Sequence, residues 1–311
     1  MSVLAPLLVI LGPTASGKSS LAIWLAERLN GEVLVCDSTQ VYKYFDIGTA
    51  KMPLSEQHGI AHHLVDLCEP EQIFTAGEYR RRALQVLEEV TQRKKLPILT
   101  AGTGLYLRAL LEGLSDAPER SEELRTRMRE KAERRGPGHL HRMLTRLDRA
   151  NASRIAPRDT QKVIRAIEMR ILGKKPVSEI QGEGRRSLEG YAVKKIGLSP
   201  PREALYTRIK ERTESMIRDG WLEEVSRLMS KGISLDAKPF QFIGYSELRS
   251  HMNGQLTMES AVQKIQQATR QFAKRQLTWF RKEPAVHWLP GFGDDPKMAS
   301  AALEFVKGSH P

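Results

Sequence analysis

Eight residues near the amino terminus have the spacing of a phosphate-binding loop. Gly12, Pro13, Thr14, Ala15, Ser16, Gly17, Lys18 and Ser19 fill every defined position of G-x-x-x-x-G-K-[ST]. The glycines let backbone N–H groups turn inward, a following helix adds positive partial charge at its N-terminus, and Lys18 adds a full charge. The Ser19 hydroxyl is placed to ligate Mg²⁺. Gly12, Thr14, Ala15, Ser16, Gly17, Lys18 and Ser19 are therefore the expected diphosphate-binding residues.

The reaction done on that phosphate depends on the nearest acid. A nucleotide-hydrolysing or kinase site adds an aspartate at the end of a neighbouring strand to hold Mg²⁺. The apolar run Leu96 to Ala101 ends instead in Gly102-Thr103-Gly104, whereas Asp37 follows the run Glu32 to Cys36. One carboxylate beside a phosphate loop suits a base that readies a nucleophile at least as well as a metal ligand. A small-molecule kinase stays as the alternative; a non-catalytic RNA-binding module leaves the loop unexplained.

The elements that must position these groups alternate. Val3 to Leu11 reads as a buried parallel strand, and Ser16 to Leu29 as a helix stopped by Asn30-Gly31. Glu32 to Cys36 and Leu96 to Ala101 are further strands, with a helix between them opened at Thr75 and running to about Arg93. Such alternation predicts an α/β fold, a parallel sheet with helices on both faces. From about Pro118 to Gly182 the chain is rich in Arg, Glu, Leu and Ala and lacks a strand pattern, which predicts a helical insertion; Gly182 to Ser187 reads as a loop. Tyr191 to Leu198 resumes the β pattern. Pro200-Pro201 opens another run of helices, the last long one spans about Glu259 to Lys282, and Val286 to Leu289 is a final strand. The expected domains are thus 1–117 and 183–311 for the core and 118–182 for the insertion.

Composition narrows the partners. The 311 residues carry a formal charge of +12, which favours a polyanion. No apolar run approaches the ~18–20 residues of a membrane span. Two cysteines, Cys36 and Cys68, make neither a disulfide framework nor a zinc site, so a reduced, cytoplasmic protein is expected. His62 and His63 do not read as a metal pair.

Beyond the phosphate loop, several segments resemble the bacterial tRNA dimethylallyltransferases. They are Asp37 to Lys43, Asp46-Ile47-Gly48-Thr49-Ala50-Lys51, Gly102 to Tyr106, Asp159 to Glu168, Phe242 to Tyr245, and Thr269 to Arg281. The resemblance runs from about Val9 to Trp288. It implies a P-loop NTPase-like core and transfer of the dimethylallyl group of dimethylallyl diphosphate to N6 of adenosine 37 in tRNAs reading codons that begin with U. With no cysteine after Cys68, the C-terminal zinc finger of the eukaryotic members is not expected.

The same resemblance implies the site. Asp37 is the base that orients the adenine amine, and Thr103 bonds the amine or a phosphate oxygen. Arg212, with Lys18 and Mg²⁺, stabilises the departing diphosphate. Arg208, one turn earlier, reads as a solvated charge. The tRNA anticodon stem-loop is expected to meet Asp37, Ser38, Thr39, Gln40, Thr103, Gln241, Phe242, Gly244 and Tyr245, with Phe242 or Tyr245 offering a stacking face. Gln161, Lys162 and Arg165 of the insertion grip the loop from the other side, across a channel between insertion and core. Lys162 stands where the family usually has Arg, Ala101 where it has Gly, and Met52 where it has Pro. Trp279 and Phe280 read as core, no membrane is involved, and a monomer is expected.

Overall fold

The structure, a computed structural model, describes residues 4–115, 118, 120–173 and 186–308. Val3, the expected insertion boundaries at residue 117 and Gly182, and the loop read from Gly182 as far as residue 185 lie outside those residues. The chain forms two compact units, one of Met1–Leu110 and Glu189–Pro311, the other of Leu111–Leu188.

The larger unit is built on β1 (Ala5–Leu11), β2 (Gly31–Cys36), β3 (His62–His63), β4 (Leu96–Ala101), β5 (Tyr191–Leu198) and β6 (Val286–Leu289). All pairs are parallel, in the order β3-β2-β4-β1-β5-β6. Because the strands are parallel, every carboxyl end lies on one edge of the sheet. The chain leaves β1 toward one side and returns on the other, so a crevice opens at that edge, where open α/β sheets bind ligands. The phosphate loop leaves β1, Asp37 leaves β2, and Gly102-Thr103 leaves β4. The β1–β4 register ends at Leu11 opposite Ala101.

The runs that form β1 and β2 are buried on both faces, as central parallel strands require. α1 (Lys18–Leu29) packs Leu21, Ala22, Leu25 and Ala26 onto this sheet and ends at Asn30, whose φ of 52° takes the left-handed cap. It begins two residues later than the sequence pattern predicts. Ala15 and Gly17 adopt φ of 62° and 84° to turn the loop amides inward, and a helix cannot run through them. α2 (Ala76–Gln92) is capped by Thr75, which accepts from the Glu78 N–H. α3 (Gly104–Glu112) follows β4.

The smaller unit contains α4 (Glu122–Arg135), α5 (Pro137–Leu147), the short α6 (Arg149–Ala152) and α7 (Thr160–Gly173). Met128, Leu140, Leu144, Val163 and Ile167 form its core. Glu168 is buried there and bound by Arg125 at 2.9 and 2.7 Å, by the Ser121 N–H at 2.8 Å and by Arg165. Burial pushes its carboxyl up, but the two guanidiniums and the backbone N–H outweigh it and hold the pKa at about 2.

Back in the larger unit, α8 (Arg202–Arg218), α9 (Trp221–Ser230), α10 (Tyr245–Met252) and α11 (Met258–Phe280) pack around Phe45, Trp221, Phe240 and Tyr245. Two elements escape the sequence pattern. β3, of two residues, is too short to show a period, and α12 (Pro296–Lys307) follows β6 with Asp295 as its cap and Pro296 at its first position. No helix among the described residues is long and apolar enough to cross a membrane.

Candidate active site

A cavity of about 670 Å³ opens at the carboxyl edge of the sheet, within the larger unit. Thr14, Ala15, Ser16, Gly17, Lys18 and Ser19 line one end of it. Gly12 does not face it. A Cβ there would stand 3.0 Å from the Leu198 carbonyl oxygen and from Ser16 Oγ, so Gly12 serves the close approach of the loop to β5. Gly17 is similarly backed by Gly293 and Asp294, either of which a Cβ would meet at 2.8 Å. Lys18 Nζ donates to the Pro13 carbonyl at 2.7 Å. Burial drives its pKa down to about 8; Arg212 adds to this and Asp37 opposes it. Among the described residues, Ser16 Oγ is buried without a partner and the half-buried Ser19 hydroxyl makes no hydrogen bond.

Asp37 lies on the cavity wall. Its Oδ1 accepts from the Thr39 N–H at 2.8 Å and the Thr39 hydroxyl at 2.6 Å, which fixes the carboxylate plane. Its Oδ2 rests against Gly102, where a Cβ would come within 2.5 Å of it. Arg212 also lines the cavity, half-buried and without a carboxylate partner among the described residues. Burial and the neighbouring Arg208 lower its pKa, and Asp37 opposes them. Two cationic side chains, Lys18 and Arg212, thus meet one acid, Asp37, in a single cavity.

Other expected residues fall differently. The Thr103 hydroxyl is committed to Ser38, accepting from its N–H at 2.9 Å and donating to its Oγ at 3.2 Å, so it orients Ser38 from behind the wall. Gln40 lines the cavity and donates to the carbonyls of Thr49 and Ala50 at 3.0 and 3.3 Å. Gln241 and Phe242 line it as well. Tyr245 offers no stacking face: it is buried, packs on Phe45 and Trp221, and donates to Glu224 at 2.6 Å. Gly244 is likewise structural, since at its φ of 94° a Cβ would meet the Trp221 ring at 1.9 Å. Arg208 is not merely solvated; it forms a two-pronged pair with Asp294 over the ring of Phe292.

In the helical unit Gln161 and Lys162 are exposed, with Lys162 paired to Asp159. Arg165 is committed to Glu168 and to the Pro118 carbonyl, which makes it a brace rather than a free grip. Trp279 is 38% exposed and lies against Gly104, so only Phe280 belongs to the core. His63 pairs with Glu32 at 2.7 Å, and His62 bonds the Ile60 carbonyl.

Sequence reasoning missed Gln276, Trp221 and Asp294. Gln276 accepts from the Thr14 N–H and donates to the Gly102 carbonyl, both at 2.7 Å. Its place in line with the buried Ala273 and Phe280 of α11 was the available clue. Asp294 sits in an irregular loop with no periodicity to mark it.

A profile of the IPP transferase family matches residues 40–283. The chain is 49% identical over 303 residues to the tRNA dimethylallyltransferase of Koribacter versatilis, covering 97% of this chain and 98% of that one. It is 46% identical over 301 residues to the protein of the same name from Solibacter usitatus, with 97% and 98% covered. Among solved structures it is similar to the full-length tRNA isopentenylpyrophosphate transferase of Bacillus halodurans, with a TM-score of 0.71 at 34% identity over 97% of this chain and 95% of that one. A eukaryotic dimethylallyltransferase acting on tRNA gives a TM-score of 0.79 at 25% identity, covering 97% and 79%. With a phosphate loop, an oriented aspartate and a half-buried arginine around one cavity, and relatives matched along nearly its whole length, this chain belongs to the IPP transferase family of tRNA dimethylallyltransferases.

Proposed function

We propose that this protein moves the dimethylallyl group of dimethylallyl diphosphate onto N6 of adenosine 37 in tRNAs reading codons that begin with U, releasing diphosphate. The observation that carries the reading is the meeting of Asp37 with Lys18 and Arg212 in one cavity. An acid and two cations so placed suit a reaction that frees a proton and an anion together.

The adenine amine is a weak nucleophile because its lone pair is delocalised into the ring. Asp37, held through Oδ1 by Thr39, presents Oδ2 to accept the amine proton as the N–C bond forms. On the other side of the transferred carbon the C–O bond breaks, and negative charge grows on the diphosphate. The loop amides, Lys18 and Arg212 stabilise that charge. Thr103 acts through Ser38, and Ser38, Thr39, Gln40, Gln241 and Phe242 contact the base and its neighbours. On the helical unit, Gln161 and Lys162 contact the tRNA.

The residues fit Mg²⁺ held chiefly by substrate oxygens. No group of three metal-ligating His, Cys, Asp or Glu side chains exists among the described residues, while Ser19 offers an uncommitted hydroxyl beside the phosphate cradle. When bound, Mg²⁺ neutralises charge on the leaving diphosphate.

Nucleoside analysis by mass spectrometry, after incubation of tRNA with enzyme and dimethylallyl diphosphate but no nucleoside triphosphate, tests the reading. Prenylated adenosine is expected; turnover that requires ATP and phosphorylates a small molecule contradicts it.

A further inference from the structure

Gln276 is 6% exposed, and its primary amide is used at both ends, with Oε1 on the Thr14 N–H and Nε2 on the Gly102 carbonyl, each at 2.7 Å. The partners fix its orientation, because a backbone N–H needs an acceptor and a carbonyl needs a donor. Thr14 belongs to the phosphate loop. Gly102 is the residue on which Asp37 Oδ2 rests, and a Cβ at Gly102 would stand 2.5 Å from that oxygen and 3.8 Å from Gln276 Nε2.

The β1–β4 ladder stops at Leu11 and Ala101. Past that point the two strands diverge into the phosphate loop and the Gly102-Thr103 turn. Gln276, reaching in from α11, ties them again by bridging Thr14 to Gly102. We propose that Gln276 is a positioning residue that sets the distance between the diphosphate grip and the Asp37 carboxylate. The inference rests on the prenyl-transfer reading, in which the bond broken at the loop and the bond formed at the amine share one carbon. A shift of about 1 Å between the two halves costs such a reaction up to ~100-fold.

Charged and titratable groups that interact with Asp37 include Lys18, Arg212, Cys36, Tyr79 and Tyr106. Gln276→Glu keeps an acceptor for the Thr14 N–H and removes the donor to the Gly102 carbonyl. Gln276→Met keeps the volume and removes both hydrogen bonds.

Steady-state kinetics of the full chain with dimethylallyl diphosphate and tRNA, across pH 5–9 and alongside thermal unfolding, test the role. Gln276→Met is expected to lower kcat roughly 10- to 100-fold, with tRNA Kd within about twofold and the acid limb of kcat/KM unmoved. Gln276→Glu, which keeps one of the two bonds, is expected to lower kcat as well, since a carboxylate cannot donate to the Gly102 carbonyl. If both variants lose only thermal stability, with wild-type kcat and limb in the folded protein, the positioning role is overturned and the prenyl-transfer reading stands. A wild-type enzyme that binds both substrates without turnover overturns the reading and the role together.

Discussion

The hydroxyl of Tyr245 donates a 2.6 Å hydrogen bond to Oε1 of Glu224. The other oxygen of Glu224 accepts from the N–H groups of Asp46 and Ile47 at 3.0 and 2.8 Å. A buried carboxylate therefore gathers the Asp46–Lys51 segment, and Tyr245 completes its hydrogen bonds. Tyr245→Phe should cost stability by about 1.5–3 kcal/mol, the range for a hydrogen bond to a charged group, and leave the tRNA affinity of the folded protein unchanged. Phe242→Ala should instead weaken tRNA binding by roughly 5- to 100-fold, the range for losing one aromatic stacking face. Thermal unfolding and tRNA titration of the two variants check the division of labour.

Lys18 carries a pKa of about 8 because burial disfavours its charge. Bound diphosphate favours the ammonium, so donor binding takes up a proton once the pH passes about 8. Donor affinity should be flat below that pH and weaken above it. Calorimetric titration at pH 8.5 in two buffers of different ionisation enthalpy checks this; identical heats would mean that Lys18 is already charged in the free protein.

Glu168 makes folding stability, rather than donor binding, depend on pH. Its folded pKa, about 2, lies below the ordinary glutamate value of 4.5, so the contribution is complete above pH 4.5 and lost as pH falls toward 2. Glu168→Gln weakens two guanidinium pairs in the core of the helical unit. It should lower stability at pH 7 by about 3 kcal/mol and flatten the pH dependence of unfolding in that acid window.

Much of the sheet was legible because a buried parallel strand is written as an apolar run. Tyr191–Leu198 and Val286–Leu289 match their expected bounds. The phosphate loop was legible because its chemistry is local in sequence. What pattern reasoning lacked was pairing at a distance. Tyr245 and Arg165 are residue types that suit RNA contact, and nothing near them in sequence says that Glu224, 21 positions away, and Glu168 on the inward face of α7 consume their polar groups. Gln276 and Thr14 are 262 positions apart, and only the fold brings them together.

Asp37→Ala is the most direct test of the proposal that this carboxylate readies the amine. Single-turnover transfer from dimethylallyl diphosphate to tRNA should slow by roughly 10²–10⁴-fold, the range for a positioned base, with tRNA and donor affinities within a few-fold of wild type. Transfer at the wild-type rate would contradict the account.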